Sequence, residues 1–168
     1  MTAGPSAAAA VDKIRSLGFT HVLSIPDSES RLLHAAVGDD PDLELIVPCR
    51  EGESVAIAAG LWTGGAKPLL LIQNTGLMEA GDALRGCGIG PRIPLRMLVG
   101  WRGFASAEAG KLPIDSAYTY TEPLLEAWRI PHEILDSADG LDAIERMDAT
   151  AARTHLPAAV LVARGFEP

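Results

Sequence analysis

Several residue types are scarce in this chain of 168 residues, and each scarcity excludes a class of protein. The two cysteines, Cys49 and Cys87, form neither a CxxC motif nor a disulfide framework, so we expect a reducing, cytoplasmic location. Lysine and arginine number 14 against 22 acidic residues, which gives a net charge of −8. Because binding to a nucleic-acid backbone needs a basic face, no nucleic-acid partner is expected.

Membrane and zinc signals are also missing. No apolar run approaches the roughly 20 residues of a membrane span, so no contact with a membrane is expected. The start of the chain lacks the basic and long apolar stretches of a signal peptide. The four histidines show no HExxH spacing, so no zinc site is predicted. The hydrophobic content of 48% suffices for one sizeable core, and we predict a single domain over residues 1–168.

Helical and strand patterns alternate along the chain. Six short apolar strands are predicted, at 21–25, 43–47, 68–72, 95–99, 133–135 and 159–162. Helices are predicted between and before them, at 8–17, from a Ser28 cap to 37, at 51–63, at 77–85, from the end of a 101–116 loop to 128, and at 138–154. This alternation is typical of βαβ units and predicts an α/β fold with three α/β/α layers and a mostly parallel six-stranded sheet.

Two glycine-rich segments resemble phosphate-binding loops but stand in the wrong context. Residues 86–90, GCGIG, follow a predicted helix and precede a strand, the reverse of a dinucleotide loop. The glycines of residues 60–67 end a helix, and Lys67 is followed by Pro68, which a P-loop does not allow. We interpret both segments as connections, the first of them flexible.

Glu51 stands at the carboxyl end of the second predicted strand, where ligands bind in parallel α/β sheets. It opens a helix of mostly small residues, EGESVAIAAG. One interpretation is an ordinary acidic residue favoured by the helix dipole. The other is functional, because a helix face with little side-chain bulk permits close approach by a cofactor or by another subunit.

Gln73 and Asn74 are the only glutamine and the only asparagine in the chain, and they are adjacent. Both follow the third predicted strand, so their amides lie at the same edge of the sheet as Glu51. They can orient a heterocycle there, or they can satisfy the backbone of a turn.

Four segments together resemble a known family, over about residues 11–135. They are SIPDS at 24–28, REGESVAIAAG at 50–60, KPLLLIQNTGL at 67–77 and LVGWRG at 98–103. In order and spacing they are similar to the pyrimidine-binding (PYR) domain of thiamine-diphosphate-dependent 2-oxoacid decarboxylases. The similarity is greatest to the sulfopyruvate and phosphonopyruvate decarboxylase group, including its separate alpha subunits.

The resemblance implies a catalytic role for Glu51. In this superfamily a glutamate nine residues before a helix glycine hydrogen-bonds N1′ of the aminopyrimidine, and Glu51 and Gly60 are nine apart. The shared proton favours the imino tautomer, which removes the thiazolium C2 proton. Glu53 is the rival on the same turn, but it lies about 200° around the helix from Glu51. The nine-residue spacing favours Glu51.

The resemblance implies further site residues. The loop lining the aminopyrimidine corresponds to Gln73, Asn74, Thr75 and Gly76, and the substrate side corresponds to Asp27 and Ser28, with Arg102 and Arg50 as candidate contacts to an anion. Arg102 is alternatively an ordinary surface arginine. The chain departs from the family loop QNSGLGN, because Met78 and Glu79 replace a glycine and an amide. Its 104–120 segment also lacks the family's usual histidine.

The half of the family site that binds the diphosphate is missing from this sequence. The resemblance implies a Gly-Asp-Gly motif followed by Asn that holds Mg²⁺, yet the only Asp-Gly step is Asp139-Gly140 and no Asn follows it. No metal site is therefore predicted in this chain. We expect a beta (PP-domain) subunit to hold Mg²⁺ and the diphosphate of thiamine diphosphate, and this chain to self-associate as PYR domains do.

The function that the resemblance implies is that of an alpha subunit of a heteromeric decarboxylase. The expected substrate is a small 2-oxo acid with a second anionic group, 3-phosphonopyruvate or 3-sulfopyruvate. Two alternatives stay open at this point. One is a decarboxylase or carboligase for another 2-oxo acid, and the other is a non-catalytic assembly subunit that kept the fold.

Overall fold

The fold is built on one parallel β-sheet, and the structure, a computed structural model, describes residues 3–168. The six strands are β1 (His21–Ser24), β2 (Glu44–Ile46), β3 (Pro68–Gln73), β4 (Arg96–Gly100), β5 (His132–Leu135) and β6 (Ala158–Val162). Their order in the sheet is β2-β1-β3-β4-β6-β5, and every neighbouring pair is parallel. All six predicted strands are present, within a residue or two of their predicted ends.

Helices cover both faces of the sheet. They are α1 (Ala7–Ser16), α2 (Arg31–Gly38), α3 (Glu51–Thr63), α4 (Asn74–Glu79), α5 (Gly81–Ala83), α6 (Phe104–Glu108), α7 (Ser116–Ala127) and α8 (Asp142–Thr154), with a π-helical turn at Leu84–Ile89. No helix within residues 3–168 is long and apolar enough to cross a membrane.

The core has two halves, one on each side of the sheet. Alternate residues of β3 divide between them, since Leu69 and Leu71 face one side while Leu70 and Ile72 face the other. The first half contains apolar side chains of α1, α2 and α8, and the second those of α3, α4 and α7. All six residues of β3 are buried, as expected of a strand covered on both faces. The predicted three-layer α/β/α fold is confirmed.

The helix α2 begins later than predicted, because Asp27 organises the residues before it. The Asp27 carboxylate accepts hydrogen bonds from the backbone N–H groups of Glu29 and Ser30 and from the Ser30 hydroxyl. This turn occupies residues 27–30, so the helix begins at Arg31 rather than after Ser28. The last helix, α8, also begins later than predicted, at Asp142, because residues 138–141 form a turn.

Helical structure after β3 and β4 exceeds the prediction. The helix predicted from residue 77 begins three residues earlier, at Asn74, directly after β3. The GCGIG segment is part of the π-helical turn, so its interpretation as a flexible connection is wrong. The short helix α6 lies within the predicted 101–116 loop, next to a cluster of the Trp101, Phe104 and Tyr118 rings.

Candidate functional site

Glu51 lies where α3, the helix after β2, contacts α4, the helix after β3. It is the first residue of α3, and its half-buried side chain lies against the backbone of Gly76 in the first turn of α4. A Cβ atom placed on Gly76 would be 2.5 Å from Glu51 Cγ and 2.5 Å from its Oε1. Real Cβ contacts are never that short, so the Glu51 carboxylate takes this position only because residue 76 is glycine.

The Glu51 carboxylate is available for a ligand. Among residues 3–168, no hydrogen bond or ion pair reaches it. Glu53, its sequence rival, points elsewhere, because its Oε2 accepts a hydrogen bond of 2.7 Å from the backbone N–H of Cys49. The geometry therefore separates the two acids into an unpaired carboxylate at the edge of the sheet and a carboxylate bonded to the backbone before the helix.

Asn74 and Gln73 take different roles in this geometry. Asn74 is fully buried; its Nδ2 donates to the backbone oxygen of Arg102 and to Thr121 Oγ1, and its Oδ1 accepts from the N–H of Thr75. Asn74 therefore ties the start of α4 to the loop after β4 and to α7. Gln73 Oε1 accepts a hydrogen bond from Thr75 Oγ1 at 2.8 Å, and within the described chain its Nε2 makes none. Gln73 and Thr75 thus lie beside Gly76, on the same edge as Glu51.

The residues predicted for the substrate side do not join Glu51 directly. Asp27 is occupied by the turn before α2, while Ser28 is exposed and its hydroxyl donates to Glu29 Oε1 at 3.4 Å. Arg102 is partly exposed and forms an ion pair of 3.0 Å with Asp115. In the part of the chain that is described, no hydrogen bond connects Asp27, Ser28 or Arg102 to Glu51.

A cavity of about 800 Å³ lies beside Arg102, at the carboxyl ends of β4 and β6. The charged side chains of its lining include both signs, from Glu29, Arg102, Asp115, Arg164 and Glu167. Hydrogen bonds from Ala117 N–H and from Arg102 hold the pKa of Asp115 below its usual value. A ligand at this cavity therefore meets arginines already paired with carboxylates, Arg102 with Asp115 and Arg164 with Glu108.

Sequence reasoning missed the contacts of two acidic residues at this edge, Glu29 and Glu79, although the sequence shows Glu79 as a departure from the family loop. Burial, and secondarily the charge of Asp27, raises the pKa of Glu29, which lies against Gly100 at the end of β4. Glu79 pairs with Arg50, the residue before Glu51. Neither contact is written in the sequence, because strands β1 and β4 are not neighbours and Glu79 is 29 residues from Arg50.

Thiamine diphosphate, the cofactor that the family resemblance implies, can be compared with the residues at this edge. An unpaired carboxylate, a glycine that leaves room for it and a free amide donor fit the pyrimidine end of thiamine diphosphate. The described residues contain no cluster of three or more His, Cys, Asp or Glu side chains that could hold a metal ion. Asp139-Gly140 lies in the turn before α8, at the end of β5.

Comparisons with known proteins place the chain among decarboxylases. It is 30% identical to sulfopyruvate decarboxylase subunit alpha of Methanococcus maripaludis over 116 residues, which are 68% of each chain. It is 27% identical over 154 residues, or 90% of its length, to sulfopyruvate decarboxylase of Methanosarcina acetivorans. It is 35% identical over 97 residues, or 58% of its length, to phosphonopyruvate decarboxylase of Streptomyces viridochromogenes. No family model matches the chain.

Some of these relatives are much longer than the chain, whereas the alpha subunits are of about the same length. The matched region spans 38% of the Methanosarcina protein and 24% of the Streptomyces protein. It spans 68% of the Methanococcus alpha subunit and 90% of a second alpha subunit, from Methanothermobacter thermautotrophicus, at 27% identity. From the identity and coverage shared with the Methanococcus protein, the chain belongs to the sulfopyruvate decarboxylase alpha-subunit family.

Proposed function

We propose that this chain is the alpha (PYR) subunit of a heteromeric, thiamine-diphosphate-dependent 2-oxoacid decarboxylase. The observation that carries the proposal is the unpaired, half-buried Glu51 carboxylate lying over Gly76 at the carboxyl edge of the sheet. The names of its relatives, sulfopyruvate decarboxylase subunit alpha and phosphonopyruvate decarboxylase, support the same reaction class.

Glu51 is the acid–base residue in this proposal. Thiamine diphosphate, when bound, supplies the carbanion chemistry of decarboxylation. The Glu51 carboxylate holds a proton at N1′ of the pyrimidine, and a positioned acid–base group of this kind typically contributes about 10²–10⁴-fold in rate. Half-burial suits this role, since a carboxylate screened from water interacts more strongly with a bound group than an exposed one does.

The end of β3 and the first turn of α4 hold the pyrimidine end. Gly76 leaves space for the Glu51 side chain, and Gln73 offers an amide donor beside it. Asn74 acts one step away, because its buried amide fixes the loop to Arg102 and Thr121 rather than to a ligand.

The substrate class follows from the family. The relatives act on sulfopyruvate or phosphonopyruvate according to their names, and we propose 3-sulfopyruvate or 3-phosphonopyruvate as the substrate. Arg102 borders the 800 Å³ cavity, and its backbone oxygen accepts a hydrogen bond from Asn74 at the start of α4. We propose it as the cation that meets the second anionic group, in competition with its ion pair to Asp115. Arg50 is less suited to this contact, because Glu79, Glu53 and Asp82 surround it in a predominantly acidic pocket.

A partner subunit completes the site in this proposal. The described residues contain no oxygen-ligand cluster for Mg²⁺, and the chain has no Asn after its single Asp-Gly step. A beta (PP-domain) subunit is the expected source of the metal and diphosphate half. The candidate beta subunit is a chain of similar length that carries Gly-Asp-Gly and a downstream Asn and is encoded beside this one. We expect it to co-purify with this chain.

The isolated chain is expected to bind thiamine diphosphate weakly or not at all, and to turn over no 2-oxo acid. The reason is that the pyrimidine end alone offers few contacts, while the charged diphosphate needs a metal. Titration calorimetry with Mg²⁺ present measures this directly, and adding the beta subunit is expected to restore tight binding and turnover. Tight, Mg²⁺-dependent binding by the isolated chain would contradict the divided site.

Self-association is expected to be at least dimeric in the complex. The exposed face of α3 carries Ala56 and Gly60, and a Cβ at Gly60 would meet no atom within 4 Å, so another helix can approach closely. Obligate interfaces bury upward of about 2,000 Å².

Sedimentation velocity at micromolar concentration is expected to show the dimer, and the Ala56→Arg substitution is expected to weaken it. The matched control is Ala152→Arg, on the exposed side of α8. A monomer with and without the beta subunit would rule the expectation out.

A further inference from the structure

One carboxylate from another helix binds the two residues that flank Glu51, the backbone of Gly52 and the side chain of Arg50. Glu79 is the last residue of α4, and its Oε2 accepts a hydrogen bond of 2.8 Å from the backbone N–H of Gly52. Its Oε1 accepts from Arg50 Nε at 2.9 Å and also from Arg50 Nη2. The residue before Glu51 and the residue after it are therefore held by the same side chain.

The start of α3 needs this support, because it lacks a cap of its own. The N-cap residue is Arg50, and its side chain makes no capping hydrogen bond. The first N–H groups of a helix have no acceptor within the helix. Glu79 supplies one for Gly52, and its negative charge is favoured at a helix N-terminus. The Gly52 hydrogen bond first, and the Arg50 pair second, hold the pKa of Glu79 below its usual value, so the carboxylate stays ionised at neutral pH.

The helix α4 contacts the Glu51 segment at both of its ends. Gly76, in its first turn, lies under the Glu51 carboxylate, and Glu79, at its end, holds Arg50 and Gly52. The backbone and the side chain of Glu51 are therefore set by the same six-residue helix.

We propose that Glu79 is a positioning residue for Glu51: it fixes the first turn of α3 so that the Glu51 carboxylate stays over Gly76 in its working place. This inference rests on the proposed function, since it assigns Glu79 a part in the reaction of Glu51. It also assigns a role to the acid at position 79, where the family loop has an amide.

Loss of this support is expected to act on geometry rather than on folding. The Arg50–Glu79 pair is partly exposed, with side-chain exposures of 67% and 35%, and such pairs add little to stability. A misplacement of about 1 Å in a catalytic group costs up to about 10²-fold in rate. The expected signature is therefore a lower kcat in a folded protein.

Two substitutions at Glu79 separate positioning from charge. Glu79→Gln removes the charge but keeps an oxygen that accepts from Gly52 N–H, whereas Glu79→Met keeps the length and removes every acceptor. Positioning predicts that Glu79→Gln stays within about threefold of wild type in kcat and that Glu79→Met falls about tenfold, with KM little changed. Asp82→Asn is the control, because it removes a nearby exposed carboxylate whose ion pair, among residues 3–168, is with Arg85 rather than with the Glu51 segment.

Amide hydrogen exchange of the full chain gives a readout that needs no cofactor. The Gly52 N–H is expected to exchange faster in Glu79→Met and to stay protected in Glu79→Gln and Asp82→Asn. Equal loss of kcat in Glu79→Gln and Glu79→Met, or wild-type kcat in Glu79→Met, would overturn the proposal. If Glu79→Met does not fold, Glu79→Gln is the test. A tenfold loss of kcat in Glu79→Gln, with the Gly52 N–H still protected from exchange, would contradict the positioning role.

The same assay separates this inference from the proposed function. Glu51→Gln is run beside the Glu79 variants in the reconstituted complex. If Glu51→Gln is fully active, the proposed function fails. If Glu51→Gln is inactive while Glu79→Met is fully active, only the role of Glu79 fails.

Discussion

Replacing Glu51 with glutamine is expected to lower decarboxylation by the reconstituted complex by about 10²–10⁴-fold. Glutamine keeps the length of the side chain and its hydrogen-bonding reach, but it cannot hold the proton at pyrimidine N1′ as a carboxylate does. The fold is expected to survive, because within residues 3–168 the Glu51 carboxylate makes no hydrogen bond that the substitution would break. A half-buried, unpaired carboxylate is a cost to stability rather than a gain.

Glu53→Gln is the matched control for this substitution. Glu53 lies on the same turn of α3, but its side chain is exposed and its Oε2 accepts from Cys49 N–H, a bond that a glutamine oxygen can also accept. The measurements are steady-state decarboxylation and exchange of the cofactor C2 proton, with thermal unfolding of each variant in parallel. Normal exchange in Glu51→Gln combined with loss in Glu53→Gln would show that the nine-residue spacing selects the wrong acid. Normal activity in both would leave the chain as an assembly subunit.

The boundaries of α3 illustrate what could be read from the sequence. Pro48 ends the preceding strand pattern, and Gly64 stops the helix, so the predicted helix 51–63 agrees with the structure at both ends. The continuous apolar run of β3 likewise predicts a strand buried on both faces. Where local residues decide the structure, as at these two elements, the sequence pattern is sufficient.

The segment after β3 illustrates where local patterns fail. Its helix begins at Asn74 because the Asn74 side chain, buried in the fold, bonds Thr121 from α7 and the backbone of Arg102. Residues 86–89 of the GCGIG segment are helical, and glycine is needed at position 88 because a Cβ there would lie 3.0 Å from Leu95 and 3.1 Å from Pro157. These contacts join distant parts of the chain, so tertiary packing overrides the breaker tendency of glycine.

The candidate site likewise has one part that the sequence predicts and another that only the structure shows. Glu51 could be found because it stands at a strand end, opens a helix and lies nine residues before Gly60. The family resemblance predicts Gly76 as a site residue, but it does not predict the close approach of Gly76 to the Glu51 side chain. The role of Glu79 could not be found either, because it arises only when α4 packs against the first turn of α3. The sequence therefore predicts the reacting group of the proposed site, and the structure is needed for the contacts that position it.

The opposite edge of the sheet carries a charged cluster whose expected role is stability alone. Asp148 of α8 lies between two cations, with Oδ1 3.0 Å from Arg96 Nε and Oδ2 2.7 Å from Lys67 Nζ. Arg96 is the first residue of β4 and is only 6% exposed. Lys67 also donates to the backbone oxygen of Leu17 and lies 4.7 Å from the centre of the Phe19 ring. One carboxylate thus compensates a buried guanidinium and joins α8 to the starts of β3 and β4.

Asp148→Asn is therefore expected to destabilise the protein by about 3 kcal/mol, because removing one partner of a buried pair leaves an uncompensated charge. For a chain of this size, that corresponds to a fall of about 6–12 °C in Tm. Thermal and urea unfolding measure the effect. Asp142→Asn is the matched control, the same substitution on the same helix at a carboxylate that is 71% exposed and pairs with Lys13 at the surface, and it is expected to leave Tm unchanged. Equal Tm values for the two variants would mean that Arg96 is stabilised by the Pro94 carbonyl and its surroundings rather than by Asp148.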